Sequence, residues 1–175
     1  MIQNDKPEMT ATAVLELVRL FDENQIEVII DGGWGVDALL GEQTRPHTDL
    51  DIAMPHKYVP QIKAILEARG YKDVPRPDTR DCNFVLGDDR GHDVDIHTYS
   101  YDEQGNLVFG LAYPLDSLNG IGLIVNYPIR FITPDWLVKF HTGYQKDEND
   151  FRDVKALCQR FGIEMPADYA IFEKG

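Results

Sequence analysis

Cysteines are few in this sequence and long apolar runs are absent, and each shortage excludes a class of protein. The two cysteines, Cys82 and Cys158, follow no C-x-x-C or metal-ligand spacing, so we interpret them as buried reduced thiols rather than as a disulfide. No apolar run approaches the roughly 20 residues needed to cross a bilayer, and the N-terminus lacks a signal-peptide pattern. We therefore expect a cytoplasmic protein without a membrane partner.

Basic residues are scarce relative to acidic ones. The sequence has 17 Lys and Arg against 30 Asp and Glu, which gives a formal net charge of −13. Because sequence-independent binding to nucleic acids depends on clustered Lys and Arg, we expect no nucleic-acid partner. The acidic field instead favours divalent cations and a cationic small substrate, although acidity that serves solubility alone is the alternative.

Length and hydrophobic periodicity predict one α/β domain over residues 1–175, with its core over about 1–132 and helices over 133–175. The predicted helices are 10–24, 34–40, 57–69, 135–144 and 151–160. The predicted strands are 26–31, 48–54, 71–74, 83–86, 92–99, 107–111 and 129–132. The remaining segment, 113–126, is rich in Gly, Asn and Pro, and we expect a lid or substrate loop there.

A short acidic pair is the most informative feature of the chain. Residues 48–54 alternate with period two, so Asp49 and Asp51 point to one face of a strand and their neighbours to the other. Two such carboxylates, about 6–7 Å apart, can share divalent ions.

Two further features accompany the pair. The run 93–97 alternates in the same way and offers Asp95 as a third acid, with Asp93 as the alternative. The doublet Gly32-Gly33 follows a predicted strand and precedes a helix, a position where backbone N–H groups can approach phosphate oxygens. Three acids beside such a turn are typical of two-metal transfer of a nucleoside monophosphate.

Other residues could complete the site. The candidates for positive charge near the phosphates are Arg45, Arg80, Lys139 and Lys146. Trp34 and His47 flank the motif and could pack on a base or on the substrate, although Trp34 could equally belong to the core. A zinc or iron site using His92 and His97 is less favoured, because residues five apart on a strand face opposite sides.

These strings resemble a known family. The segments DGGWGVD at 31–37, TRPHTDLDI at 44–52, DIH at 95–97 and FHTGY at 140–144 are similar to the antibiotic nucleotidyltransferases, especially the small lincosamide O-nucleotidyltransferases. The resemblance runs over most of residues 12–160 in the same order. It implies a nucleotidyltransferase fold, a mixed β-sheet with flanking helices and a helical C-terminal part.

The resemblance also implies roles for individual residues. Metal ligands are Asp49, Asp51 and Asp95, with Asp95 as ligand, general base or both. The resemblance also implies nucleotide binding by Gly32, Gly33, Arg45 and His47, and it matches Arg80 only loosely. From the residues themselves we add Lys146 to the predicted nucleotide contacts, and Trp34, Arg80 and His97 as predicted substrate contacts. Two departures are Thr98, where the family often has Pro, and the poorly matching region 107–131.

The predicted reaction is transfer of AMP or another NMP from ATP or another NTP to a hydroxyl of a small molecule. The acceptor is expected to be an antibiotic of lincosamide or aminoglycoside type, with two Mg²⁺ ions and release of pyrophosphate. Two alternatives remain: the same chemistry on a protein acceptor, as in toxin-antitoxin systems, or a catalytically idle nucleotide- or metal-binding regulator. A monomer and a homodimer are both compatible with the sequence.

Overall fold

The computed structural model describes residues 6–172, so both ends of the predicted 1–175 domain lie outside the described residues. The helices are α1 Ala11–Glu23, α2 Gly32–Leu40, α3 Val59–Glu67, α4 Pro134–Phe140 and α5 Glu148–Phe161. The strands are β1 Ile29–Ile30, β2 Asp49–Pro55, β3 Lys72–Asp73, β4 Asn83–Gly87, β5 Asp93–Tyr101, β6 Leu107–Gly110, β7 Gly120–Ile124 and β8 Tyr127–Phe131. None of these helices has the length and apolar character needed to span a bilayer.

Local capping signals explain where the helices begin and end. The Thr10 side chain accepts a hydrogen bond from the third residue of α1, as the sequence predicted. A reciprocal capping box of Asp147 and Asp150 starts α5 three residues before the predicted boundary. Gly41 and Gly162 end α2 and α5 in the left-handed conformation, which glycine adopts without steric cost.

All strands belong to one mixed sheet in the order β3-β4-β5-β2-β1-β8-β7, with β6 paired to the far end of β5. The central pair β2 and β5 is parallel, and β1 is antiparallel to β2 but parallel to β8. The strands β4 and β5 form an antiparallel hairpin. The mixed sheet with flanking helices is therefore confirmed.

A hydrophobic core lies on each face of the sheet. Ile52 and Ile96 point from β2 and β5 into the first core, which α1 and α3 cover. Ala53 and Tyr99 point to the opposite face and join a second core with α4 and α5. The C-terminal helices thus pack on the face of the sheet to which the alternating acids point.

The segment 113–126 is regular structure rather than the expected lid or substrate loop. It contains a 3-10 turn, Leu115–Asn119, followed by strand β7, which pairs with β8 at the edge of the sheet. A Cβ at Gly122 would lie 2.8 Å from a backbone oxygen of α2, so glycine there allows the helix to approach the strand. Val125 and Asn126 both have positive φ and form the tight turn of the hairpin.

Substitutions of two isoleucines test which positions lie in the core and which lie on the exposed edge of the sheet. Ile96→Ala, at a fully buried position of β5, is expected to lower the free energy of unfolding by about 2–5 kcal/mol, because it leaves a cavity in the first core. Ile121→Ala, at a position 76% exposed on β7, should change it by less than about 0.5 kcal/mol. Urea unfolding measures both, and equal losses would contradict the assignment.

Candidate active site

The parallel pairing of β2 with β5 brings the acidic motifs together. Asp51 lies opposite Asp95 in the register, and Asp49 lies opposite Asp93. Because side chains alternate along both strands, all four carboxylates point to the same face of the sheet. Residues far apart in the sequence thereby become neighbours.

A cleft of about 340 Å³ opens over this face, between the sheet, the start of α2 and the C-terminal helices. Its lining residues are Asp31, Gly32, Gly33, Arg45, His47, Asp49, Asp51, His97, Phe140, His141, Tyr144 and Asp150. The structure therefore gathers seven of the residues selected from the sequence around one cavity: Gly32, Gly33, Arg45, His47, Asp49, Asp51 and His97.

The carboxylates in the cleft repel one another. Burial raises the pKa of Asp51 well above its ordinary value, and the nearby charges of Asp49 and Asp95 raise it further. Burial also raises the pKa of Asp49, with a contribution from Asp95 that is partly opposed by Arg76. A site that penalises its own negative charge in this way favours a bound cation.

The two candidates for the third acid differ in their partners. Asp93 is 4% exposed, and its Oδ2 lies 2.5 Å from Lys6 Nζ and 3.2 Å from Arg76 Nη2. Asp95 Oδ2 lies 3.5 Å from Arg76 Nη1, while its buried Oδ1 accepts no hydrogen bond from the residues that the structure describes. Asp93 is thus neutralised by two cationic side chains, whereas Asp95 Oδ1 has no aligned hydrogen-bond donor and only His97 beside it, which pairs with it when the imidazole is protonated.

A chain of polar contacts links Asp95 to the start of α2. His97 Nε2 lies 3.3 Å from Asp95 Oδ1, and His97 Nδ1 lies 3.1 Å from the Tyr113 hydroxyl. That hydroxyl donates to Asp31 Oδ2 at 2.8 Å, and Asp31 Oδ1 accepts from the Gly32 N–H. Burial lowers the pKa of His97, but the neighbouring Asp95 outweighs this effect and raises the pKa above its ordinary value.

The glycine doublet forms the first turn of α2, two residues before the predicted start of that helix. A Cβ at Gly33 would lie 2.5 Å from His47 Nδ1 and 2.8 Å from Arg45 Nη2, so both side chains lie directly over the turn. A helix N-terminus carries about half a unit of positive charge. Backbone and side-chain donors therefore converge at one point, an arrangement suited to phosphate.

Each of these two side chains is held by a buried carboxylate that the sequence did not reveal. His47 Nε2 lies 2.5 Å from Asp37 Oδ2, and Asp37 Oδ1 accepts from the Thr44 hydroxyl at 2.6 Å. Arg45 donates from Nε and Nη2 to the two oxygens of Asp153, at 3.2 and 2.8 Å. Burial lowers the pKa of Arg45, but Asp153 more than offsets this, so the guanidinium stays charged.

Several predicted contacts take another place in the structure. Trp34 is 3% exposed, packs on His47 and donates to the Met9 carbonyl, so it is a core residue rather than a substrate contact. Arg80 lines a separate cavity beside β4. Lys146 makes an ion pair with Asp168 at 2.9 Å and is not among the cleft-lining residues.

The structure also shows where the other candidate residues lie. Lys139 lies over the Trp136 ring, 4.1 Å from its centroid. His92 Nδ1 lies 3.0 Å from Asp88 Oδ2, whereas His97 faces the cleft, so the two histidines do not share a site. Arg76, which was not among the residues selected from the sequence, contacts Asp93 and Asp95, and only its position in a Pro-x-Pro segment marks it in the sequence.

Between residues 6 and 172, no group of three or more His, Cys, Asp or Glu side chains is arranged so that it could hold a metal ion as the side chains stand. This agrees with the chemistry of Mg²⁺, which one or two carboxylates usually bind together with water and substrate phosphates rather than in an all-protein cage. The carboxylate oxygens of Asp49 and Asp51 and the raised pKa values of these two residues fit a hard divalent cation.

Comparison with known proteins identifies relatives of this arrangement. The family model for aminoglycoside-2″-adenylyltransferase matches residues 13–157. A lincosamide resistance protein of Staphylococcus haemolyticus is 29% identical over 163 residues, covering 85% of this chain and 94% of the relative.

Two solved structures of antibiotic-modifying proteins superpose on this chain. The lincosamide antibiotic adenylyltransferase LnuA, bound to lincomycin, superposes with a TM-score of 0.76 at 25% identity, covering 86% of this chain and 98% of that one. ANT(2″)-Ia, in complex with adenylyl-2″-tobramycin, superposes with a TM-score of 0.72 at 20% identity, covering 87% of this chain and 89% of that one. The second likeness shows the fold alone.

The repulsion within the cleft predicts that its acids lower the stability of the metal-free protein. Because the pKa of Asp51 is raised by folding, the folded state binds its proton more tightly than the unfolded chain does, and stability falls as pH rises from the ordinary Asp value through the folded one. Asp51→Asn should therefore raise the free energy of unfolding near pH 7.5 by more than about 0.5 kcal/mol. The gain should shrink toward about pH 4.

Urea unfolding with a chelator present measures this effect. The exposed Asp116→Asn serves as the control for loss of one charge and should leave stability unchanged at both pH values. A lower stability of Asp51→Asn near pH 7.5 would show that the carboxylate is satisfied in the metal-free fold.

Proposed function

The chain belongs to the aminoglycoside-2″-adenylyltransferase family and is a nucleotidyltransferase, and from this premise we propose its reaction and substrates. It transfers AMP or another NMP from an NTP to a hydroxyl of a small antibiotic of lincosamide or aminoglycoside type, with release of pyrophosphate. The observation that carries this proposal is that Asp49 and Asp51 line the same cleft as Arg45 and His47 over Gly33, while the strand register places Asp95 directly beside Asp51.

Asp49 and Asp51 would hold the metal together with the phosphates of the nucleotide. Their oxygens are the donors that Mg²⁺ prefers, and two ions can be accommodated when the triphosphate supplies the remaining ligands. When bound, Mg²⁺ neutralises charge on the phosphates and lowers the pKa of a coordinated hydroxyl.

The triphosphate lies over the start of α2 in this proposal. The backbone N–H of Gly33 and the positive end of the helix favour an anion there. Arg45 adds donors from the side, and the His47 ring lies next to it over Gly33. In-line transfer depends mainly on positioning of this kind.

Asp95 is the residue that takes the proton of the acceptor hydroxyl or orients that hydroxyl at the metal. Its buried Oδ1 accepts no hydrogen bond within residues 6–172 and has His97 Nε2 beside it at 3.3 Å, so it keeps acceptor capacity that a substrate hydroxyl reaching β5 would use. His97, held in turn by Tyr113, lies beside this oxygen and restricts its position. Asp93, paired with Lys6 and Arg76, is less suited to the role.

The acceptor would lie between the acids and the C-terminal helices. Phe140 and Tyr144 offer apolar surface at that side of the cleft, and Asp31 and Asp150 offer negative charge. Lincosamides and aminoglycosides both carry basic amines, which such a surface attracts. The acidic lining of the cleft therefore favours a cationic acceptor.

The reaction can be tested directly. Purified protein with MgATP should release pyrophosphate in the presence of one class from a panel of lincosamides and aminoglycosides, and mass spectrometry should find that antibiotic heavier by one adenylyl group. GTP, CTP and UTP in place of ATP identify the preferred nucleotide. Silence across the whole panel with every nucleotide would contradict the proposal and favour a protein acceptor.

Asp95→Asn tests the role of the third acid. The substitution keeps the shape of the side chain but removes its capacity to accept a proton, so turnover should fall by at least about 10²-fold while nucleotide binding persists. Asp93→Asn is the matched change one alternation away on the same strand and should lower turnover less. Near-normal turnover of Asp95→Asn, measured by pyrophosphate release, would remove Asp95 from the base role.

A further inference from the structure

The C-terminal helix α5 reaches the cleft through one buried carboxylate. Asp153 is 3% exposed, and its two oxygens accept from Nε and Nη2 of Arg45 at 3.2 and 2.8 Å. This is the two-bond fork that a guanidinium and a carboxylate form in their strongest pairing. The two residues are 108 positions apart in the chain, so the contact ties the C-terminal helix to the loop before β2.

The fork fixes the orientation of Arg45 without using all of its donors. A guanidinium has five N–H groups; Asp153 takes two and the Pro46 carbonyl one, at 3.4 Å from Nη1. Five minus three leaves two N–H groups. One of them is on Nη2, the atom that lies over Gly33, so this donor is held at the edge of the cleft.

We propose that Asp153 is a positioning residue for the nucleotide, which fixes the Arg45 guanidinium over the Gly33 turn so that its free N–H groups meet the triphosphate. The inference rests on the proposed function, because it assumes that the turn binds phosphate. It makes α5 a structural part of the nucleotide site rather than a helix that only covers the second core.

Electrostatics alone would give the opposite result. Asp153 is negative and lies near the position assigned to an anion, so its charge by itself weakens phosphate binding. A net benefit therefore requires that the gain from a fixed guanidinium exceeds this repulsion. Arginine side chains lose rotamer freedom when fixed, and Asp153 removes that entropic cost before the nucleotide arrives.

Measuring nucleotide affinity tests the proposal and requires no turnover. Isothermal titration with Mg²⁺ and the non-hydrolysable analogue α,β-methylene-ATP is compared for wild type, Asp153→Asn, Arg45→Ala and the double variant. Each single substitution should weaken binding about tenfold. The double variant should bind no more weakly than Arg45→Ala alone, because the benefit from Asp153 passes only through Arg45.

Two further variants make the comparison specific. Glu148→Gln removes one negative charge from the same helix at an exposed position and should leave affinity unchanged. Arg45→Lys keeps the charge but cannot form the fork, so it should bind about as weakly as Arg45→Ala. Arg45→Lys also tests the geometry if Asp153→Asn does not fold.

Three results would overturn the inference. They are unchanged or tighter binding by Asp153→Asn, a further loss when it is added to Arg45→Ala, and wild-type affinity of Arg45→Lys. Absence of binding by the wild-type protein would instead overturn the proposed function itself, and the inference with it.

Discussion

The in-register parallel pairing of β2 with β5 is the constraint on which the site depends. It places Asp51 beside Asp95 on one face of the sheet, while Leu50, Ile52, Val94 and Ile96 on the other face lie in the first core. A shift of one residue in either strand would move its acids to the opposite face. The hydrophobic core thus fixes the positions of the acidic residues, because the strand register that buries these four side chains also brings the carboxylates together.

One part of the cleft holds carboxylates whose mutual repulsion the fold does not neutralise. Another part holds the side chains of His47 and Arg45 in fixed positions. Asp49 and Asp51 have raised pKa values in a shared, buried environment. Across the cleft, Asp37 holds His47 and Asp153 holds Arg45, so each donor has a carboxylate behind it. Functional sites commonly lower the stability of the fold in this way, and a bound metal with its nucleotide would neutralise the negative charge of the carboxylates.

Local patterns were sufficient to predict much of this molecule. Period-two alternation located Asp49, Asp51 and Asp95, because it reports directly which face of a strand a side chain occupies. Contacts between distant segments could not be predicted, since nothing near Arg45 indicates Asp153 and nothing near His97 indicates Tyr113. The same limit explains Lys146 and Trp34, whose directions depend on tertiary packing. The prediction of a loop over 113–126 is wrong, because the glycines there allow close packing of a helix against strand β7.

A crystal structure with Mn²⁺ and α,β-methylene-ATP tests the central claim most directly, because anomalous scattering locates the ions independently of the protein. The account predicts ion density within about 2.0–2.6 Å of carboxylate oxygens of Asp49 and Asp51, with the phosphates over Gly33. Mn²⁺ found on the nucleotide or elsewhere on the protein, without either carboxylate as a ligand, would contradict it.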